Sequence, residues 1–307
     1  MLPKIFEKIP FYVKTRDFLY QKYRKFIMIH FPQKQADYLY KQIFGKRINW
    51  KRPCDLNEWI NYLEFKTDTS NWSKLADKYK VRDFIKEKGL AHILIPLIAK
   101  YDSPNDIDFE KLPNQFVLKC NNGSGDTILI DNKTKINLTE IKQEISRSFQ
   151  SKFGLESAEP HYLKIKPCII AEEKLSPTKM NMVDYKIWCF NGEPYCIFTV
   201  SNRNHKLHTA DYNIFDLKWN RMDQYLTERH RNCIRVQKPK HLERMLSYAK
   251  ILSDGFPEVR IDFYEVNDKV YFGEMTFTSQ SGRMDYLTPD FLNMMGHQIV
   301  ANKKIQP

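Results

Sequence analysis

The segment VRIDFYEVNDKVYFGEMTF, residues 259–277, constrains the fold of this chain more than any other. Apolar and polar residues alternate on both sides of Asn267-Asp268-Lys269, the pattern of two antiparallel strands joined by a tight turn. Val259, Ile261 and Phe263 point to one face, and Arg260, Asp262 and Tyr264 to the other. In the second strand Phe272, Glu274 and Thr276 share a face. With the hairpin symmetric about Asp268, Asp262 stands opposite Glu274 and Arg260 opposite Thr276. Opposed β-carbons are roughly 5 Å apart, where like charges destabilise a sheet. A divalent cation removes that repulsion. Two carboxylates completed by phosphate oxygens and water suit magnesium on a nucleotide. A slip of one residue would turn one acid to the other face, and a solvated face carrying unpaired acids is the alternative reading.

Around this hairpin the chain reads as α+β. Its first 50 residues suggest two or three short helices, broken near Phe31-Pro32 and Gly45. Further helices are expected at Leu56–Lys66, at about Lys74–Lys88 with Ser73 as N-cap, and at about Leu138–Gln150 and Lys240–Leu252. Strands are expected at Phe116–Cys120, Thr127–Ile130, Cys168–Glu172, Val183–Phe190, Glu193–Val200, Val259–Val266 and Val270–Phe277. Asn191-Gly192 marks a second hairpin. A dinucleotide fold is not expected, since no early strand leads into GxGxxG. The reading divides the chain into a basic helical extension (1–55), a helical part (56–112), a lid-like subdomain (113–172) and a metal-carrying C-terminal subdomain (173–307).

Charge is unevenly spread. Residues 1–52 hold thirteen Lys/Arg against three Asp/Glu, so +10 of the formal +12 lies there and the body is nearly neutral. Phe11, Tyr12, Phe18, Tyr20, Tyr23 and Phe26 interleave the basic residues, which suits an anionic membrane surface at least as well as nucleic acid or an anionic glycan. A packed helical arm with a solvated basic face is the alternative. Six cysteines without CxxC or regular spacing argue for reduced thiols rather than a disulfide framework or zinc. With no run of about 18 apolar residues and no signal-peptide pattern, the expectation is a cytoplasmic protein, in peripheral contact with the membrane if the arm binds there.

Phe116–Cys120 carries Lys119 into Asn121-Asn122-Gly123-Ser124-Gly125-Asp126 before the next strand. A glycine-rich connection lets backbone N–H groups approach phosphate oxygens, and a lysine at its base adds a point charge. The loop is not a P-loop, and it could equally be a plain turn. Lys78 and Arg82, four apart on one expected helix, form a basic face that an anion would relieve. Asp184 and Lys186 share a strand face. Arg203 with His205 and His208 suits an anionic acceptor better than zinc.

The stretches LADKYKVRDFIKEKG, LPNQFVLKCNNGSGD, KPCIIAEEKL, VDYKIWCFNGEP and GFPEVRIDFYEVNDKVYFGEMTFTSQSG, in this order, resemble the TupA-like branch of the ATP-grasp superfamily, linked to bacterial surface-polysaccharide synthesis. The resemblance implies an ATP-grasp fold behind a helical basic N-terminal extension, with ATP and Mg²⁺ as cofactors. It implies that Lys78 and Lys119 contact phosphates beside a lid containing Gly123, Ser124 and Gly125. It implies an adenine-side hinge of Glu172, Glu173 and Leu175, with Asp184 or Lys186 toward the ribose or phosphates. Asp262 and Glu274 would hold the metal, with Thr276 where many relatives place asparagine. Arg260 and Lys119 would be catalytic. Arg203, His205, Ser279, Ser281 and Gly282 are candidate substrate contacts. The implied reaction joins a carboxylate to an amine through an acyl phosphate, releasing ADP. The surface-polysaccharide link suggests an amino acid or amine coupled to a uronic acid, on a sugar nucleotide or lipid-linked glycan. The rival is a glycosyltransferase using Asp106-Ile107-Asp108 to hold a metal on a sugar nucleotide. A nucleic-acid or glycan binder built on the arm would leave residues 119–282 unexplained.

Overall fold

The computed structural model describes residues 10–300 except 124, 126, 177–181 and 205–208. Two antiparallel sheets carry the described chain. The smaller contains β1 (Leu97–Tyr101), β2 (Phe116–Cys120), β3 (Thr127–Ile130) and β4 (Ile169–Glu172), in the order β1-β4-β2-β3. The larger contains β5 (Asp184–Phe190), β6 (Glu193–Asn204), β7 (Thr209–Phe215), β8 (Glu258–Val266) and β9 (Lys269–Thr276), in the order β7-β6-β5-β8-β9. The helices are α1 (Pro10–His30), α2 (Pro32–Phe44), α3 (Leu56–Lys66), α4 (Trp72–Ala76), α5 (Val81–Glu87), α6 (Leu138–Gln150), α7 (Leu242–Ser253) and α8 (Pro289–Val300).

Alternation explains how each sheet acquires a dry side. In β8, Val259, Ile261 and Phe263 are fully buried against α7, while Arg260, Asp262 and Tyr264 stand on the other face. Burying a side chain of this size stabilises a fold by about 1.5–3 kcal/mol, so a register slip in β8 would be costly. The smaller sheet builds its own core from Phe116, Leu118, Ile128, Ile130 and Ala171, closed by Ile145 of α6. Asn191 and Gly192 both have positive φ and close the β5–β6 hairpin as expected.

The helix expected over 74–88 is two, because α4 ends at Ala76 and α5 begins at Val81. Asp77 accepts from the N–H groups of Tyr79 (2.9 Å) and Lys80 (3.1 Å), a side-chain turn that competes with helix propagation. Lys78 therefore sits in a turn and shares no helical face with Arg82. Ser73 caps nothing; its hydroxyl donates to the His161 carbonyl at 2.8 Å. The β8–β9 turn contains two residues, Asn267 (φ 50°) and Asp268 (φ 67°), so Val266 pairs with Lys269 and Phe263 with Phe272. A bulge beyond Phe272 then restores the expected pairing of Asp262 with Glu274 and Arg260 with Thr276. Gly273 makes the bulge possible, since a β-carbon there would lie 3.1 Å from the Asp262 carbonyl and 3.2 Å from the Tyr264 ring. Phe272 consequently pairs with Phe263 and belongs to the main core, and it also borders the cavity that Glu274 lines. Strands β1 and β7 and helix α8 are not anticipated by the sequence reading.

Candidate active site

A cavity opens between the two sheets. Lys119 of β2, Thr127 of β3 and Glu172 of β4 line it from the smaller sheet; Asp184, Lys186, Asp262, Tyr264 and Glu274 line it from the larger. Lys78, Arg82, Gly125 and Arg203 complete its polar wall, with Leu94, Ile95 and Phe272 supplying apolar surface. Residues up to 196 positions apart in sequence thus meet in one place.

Register positions the larger sheet's share. Lys186 pairs with Asp262, Asp184 with Tyr264 and Trp188 with Arg260 across β5 and β8. Lys186 forms an ion pair with Asp262, and its ammonium lies 3.5 Å from Asp184. Arg203 reaches Asp184 at 2.8 Å. Arg260 grips Asp262 with two bonds, Nε to Oδ1 at 2.7 Å and Nη2 to Oδ2 at 2.8 Å. The same Nη2 donates to Glu274 Oε1 at 3.0 Å and Thr276 Oγ1 at 3.1 Å, while Nη1 donates to Ser279 Oγ at 3.1 Å. The Trp188 ring lies 5.7 Å from the guanidinium.

Burial sets the electrostatics. Asp262 is 2% exposed and Arg260 9%. Burial pushes the Asp262 carboxyl up, but Arg260 and then Lys186 more than offset this and hold it below the usual carboxylate range. For Arg260, burial works against the charge, while Asp262 and then Glu274 hold the guanidinium above its ordinary value. Burial, reinforced by Asp184 and Glu274, raises the Tyr264 hydroxyl well above its usual pKa. The repulsion expected between Asp262 and Glu274 is therefore relieved by Arg260 itself, which stands between them.

The smaller sheet presents a second compensated acid. Glu172 accepts from Lys119 at 2.7 Å and from Arg82 at 3.1 Å. Lys78 donates to the Gly123 carbonyl, and its backbone N–H donates to the Asn121 carbonyl at 3.1 Å. Asn121 also bonds Cys168 N at 2.7 Å and the Lys166 carbonyl at 3.1 Å, tying the glycine-rich loop to the approach of β4. Ser124 lies outside the described residues, as do His205 and His208.

Some expected site residues lie elsewhere. Glu173 is exposed and Leu175 half-buried, and neither lines the cavity. Ser281 donates to Glu159 at 2.8 Å, so its hydroxyl is engaged away from Arg260. Gly282 packs against Asn57 and Asn61 of α3. Asp106 and Asp108 are also remote from the cavity: Asp106 is exposed, and Asp108 pairs with Lys111 at 3.0 Å. Sequence reading undervalues Arg82, weighed there only as part of a basic face, and misses Thr127, Leu94 and Ile95. It also misses Glu159, a buried acid in an irregular segment whose signal is the partnership itself: Thr278 and Ser281 both donate to it.

These features define the class. A family model of TupA-like ATP-grasp proteins matches residues 58–300, and the chain belongs to that family. Solved structures similar to it include D-alanine–D-alanine ligase from Bacillus anthracis complexed with ATP, at 13% identity over 74% of this chain and 64% of that one, TM-score 0.42. An L-amino acid ligase from Bacillus licheniformis shares 13% identity over 71% and 47%, TM-score 0.45. D-alanine–D-alanine ligase from Helicobacter pylori shares 14% over 81% and 69%, TM-score 0.42. The chain spans less than two thirds of the first of these and under half of the second. No curated protein matches it.

ATP-grasp ligases use ATP and Mg²⁺. The candidate donors, two carboxylates and a hydroxyl, are the hard oxygens that magnesium takes, and in this structure Arg260 bonds all three. They do not make a self-sufficient metal site. Among the described residues no three His, Cys, Asp or Glu gather to hold an ion.

Proposed function

We propose that this protein is an ATP-dependent, ADP-forming carboxylate–amine ligase whose nucleotide lies between the two sheets. The observation that carries this reading is the convergence of Lys78, Lys119 and Lys186 with Asp262 and Glu274 around one cavity, with Arg260 bonded to both acids. Asp262, Glu274 and Thr276 would hold the magnesium ion, which when bound would neutralise phosphate charge.

The chain's own residues have separable tasks. Lys119 of the smaller sheet and Lys78 of the α4–α5 turn meet phosphate oxygens, with Gly123, Ser124 and Gly125 as the proposed source of backbone N–H groups. Lys186 and Arg260, both parked on Asp262 in this structure, turn to the transferring phosphoryl group and the charge that develops on the substrate carbonyl. Arg82 holds Glu172 in place as Lys119 moves to phosphate. The carboxylate attacks the γ-phosphoryl group, giving an acyl phosphate and ADP; the amine then expels phosphate and forms the amide. Closure of the loop at Gly123 and Gly125 excludes water from the acyl phosphate. Arg203 beside Asp184 is the substrate-side contact, while Ser279, fully buried, holds Arg260; Glu172, Glu173 and Leu175 remain the proposed adenine-side segment. We carry the acceptor as a uronic acid on a surface-polysaccharide precursor, nucleotide- or lipid-linked, coupled to an amino acid. Cytoplasmic placement belongs to the same proposal; among the described residues no helix is long and apolar enough to cross a membrane.

The test is ADP release with a panel of uronates and amino acids, with hydroxylamine trapping the acyl phosphate as a hydroxamate. Asp262→Asn, Glu274→Gln, Lys119→Ala and Arg260→Ala should each lower turnover at least a hundredfold, and Thr276→Asn should be better tolerated. Sugar transfer from a nucleotide donor without ATP, lost only on Asp106→Ala or Asp108→Ala, would replace this reading with the glycosyltransferase.

A further inference from the structure

Among the described residues, α2 is bound to the body, and α1 makes its main contact with α2. Ala36 and Tyr40 of α2 are buried with Ile48 and Ala158 in a small separate core, and Gln35 donates to the Glu156 carbonyl at 3.0 Å. Helix α1 meets α2 along one side only, where Arg24 lies 3.7 Å from the Tyr38 ring and donates to Gln35 at 2.8 Å. Over the described residues 18–30 the opposite side is bare. At 3.6 residues per turn, Phe18, Leu19, Tyr23, Phe26 and Ile29 fall within an arc of about 140°. Each is at least half exposed, from 50% for Ile29 to 60% for Tyr23.

This bare side is also basic. Lys25 flanks the arc, and Lys22 lies within it with its ammonium 4.6 Å from the Phe18 ring, so a charged head stands over an apolar stem. The segment 1–52 carries +10.

We infer that α1 is a docking surface for an anionic lipid bilayer, lying in the plane of the headgroups with Phe18, Phe26 and Ile29 inserted. The combination selects this occupant. A nucleic acid would meet the lysines but leave the aromatic arc wet. A second copy of the chain would bring another +10 segment against the first, which repulsion disfavours. An anionic bilayer satisfies both features, since rings and aliphatics enter the acyl boundary while ammonium groups stay at the phosphates. The lysines and arginines of α1 argue against its crossing the bilayer. The inference is independent of the ligase reading, because none of its residues lines the cavity.

Sedimentation of the full-length protein with phosphatidylcholine vesicles, with and without 30% phosphatidylglycerol, tests it. Binding to the anionic vesicles should be at least tenfold tighter and should weaken steeply between 50 and 300 mM NaCl. The triple variant Phe18→Ser/Phe26→Ser/Ile29→Ser should lose at least tenfold of that binding, and Lys22→Gln/Lys25→Gln should flatten the salt dependence. Phe26→Trp should shift its emission to the blue on anionic vesicles alone, which reports insertion without relying on a loss. Equal binding to neutral vesicles, an unshifted Phe26→Trp, or a triple variant that binds like wild type would overturn the inference. So would a wild-type dimer that the triple variant converts to monomer with no vesicle binding in either.

Discussion

Glu258 opens β8 on the side of Arg260 and Asp262, is fully buried, and has neither carboxylate oxygen hydrogen-bonded among the described residues. Burial pushes its carboxyl well above the usual range, and Arg260 opposes this only in part. Four residues along the same strand, Asp262 is displaced the other way, because it has Arg260 and Lys186 in contact. The two acids should therefore respond oppositely to pH. A carboxyl with a raised folded pKa binds its proton more firmly in the native state, so its stability contribution falls as pH rises from about 4.3 toward that pKa. Glu258→Gln removes this penalty. The stability difference between variant and wild type should grow from pH 5 to pH 8, as read by urea unfolding, and a difference constant with pH would count against a buried, protonating Glu258. Asp262, with its depressed pKa, contributes stability above about pH 4 that is lost as the pH falls. Breaking a buried pair by removing one partner typically costs about 3–5 kcal/mol, so Arg260→Ala should be measured for folding before its turnover is interpreted.

At the scale of elements, the turn after β9 holds Arg260 in place from outside the sheet. Gln280, Ser281 and Gly282 have φ of 48°, 53° and 63°, three successive residues in the left-handed region. For Gln280 and Ser281 this costs about 1–3 kcal/mol each, and the surrounding bonds must offset it. Glu159 accepts from Thr278 ahead of the turn and from Ser281 within it, and Asn61 donates to the Gly282 carbonyl at 3.2 Å. A β-carbon at Gly282 would lie 2.2 Å from Asn61 Nδ2 and 2.8 Å from the Asn57 carbonyl. Gly282→Ala combines a left-handed penalty with a clash and should destabilise by about 3 kcal/mol, visible as a lowered urea midpoint. Because Ser279 belongs to this turn and bonds Arg260, nucleotide affinity measured on the fraction still folded should also fall; an unchanged affinity would separate the turn from the site.

Across the whole molecule, the described chain divides into a body of two sheets, a docked α2, and an α1 that stands off. Removing residues 1–30 should leave the thermal midpoint close to wild type, since the described part of α1 buries little against anything but α2. Removing residues 1–50 strips Ala36, Tyr40 and Ile48 from a shared core. At about 1.5–3 kcal/mol for each large side chain lost, calorimetry should find the longer truncation clearly less stable, and equal midpoints would mean α2 is not part of the folded body. Strands β2 and β3 have the limits expected from the sequence and both Asn-led hairpins are present, because period-two alternation and Asn-Gly or Asn-Asp turns are local signals; α3 and α6 also have their expected limits, whereas β1 and β7 were not anticipated. The facing of Asp262 and Glu274 was legible too, although by way of a turn one residue too long and an unforeseen bulge at Gly273 that cancel. What the tertiary structure alone decided is how charges are shared. Arg82 on Glu172, Lys186 and Arg260 on Asp262, and Glu159 under the 280–282 turn join residues from separate elements, and no periodicity within one strand or helix records such partnerships. Alternation along a strand determines which side chains leave the core, whereas their partners depend on which strands and helices pack beside them.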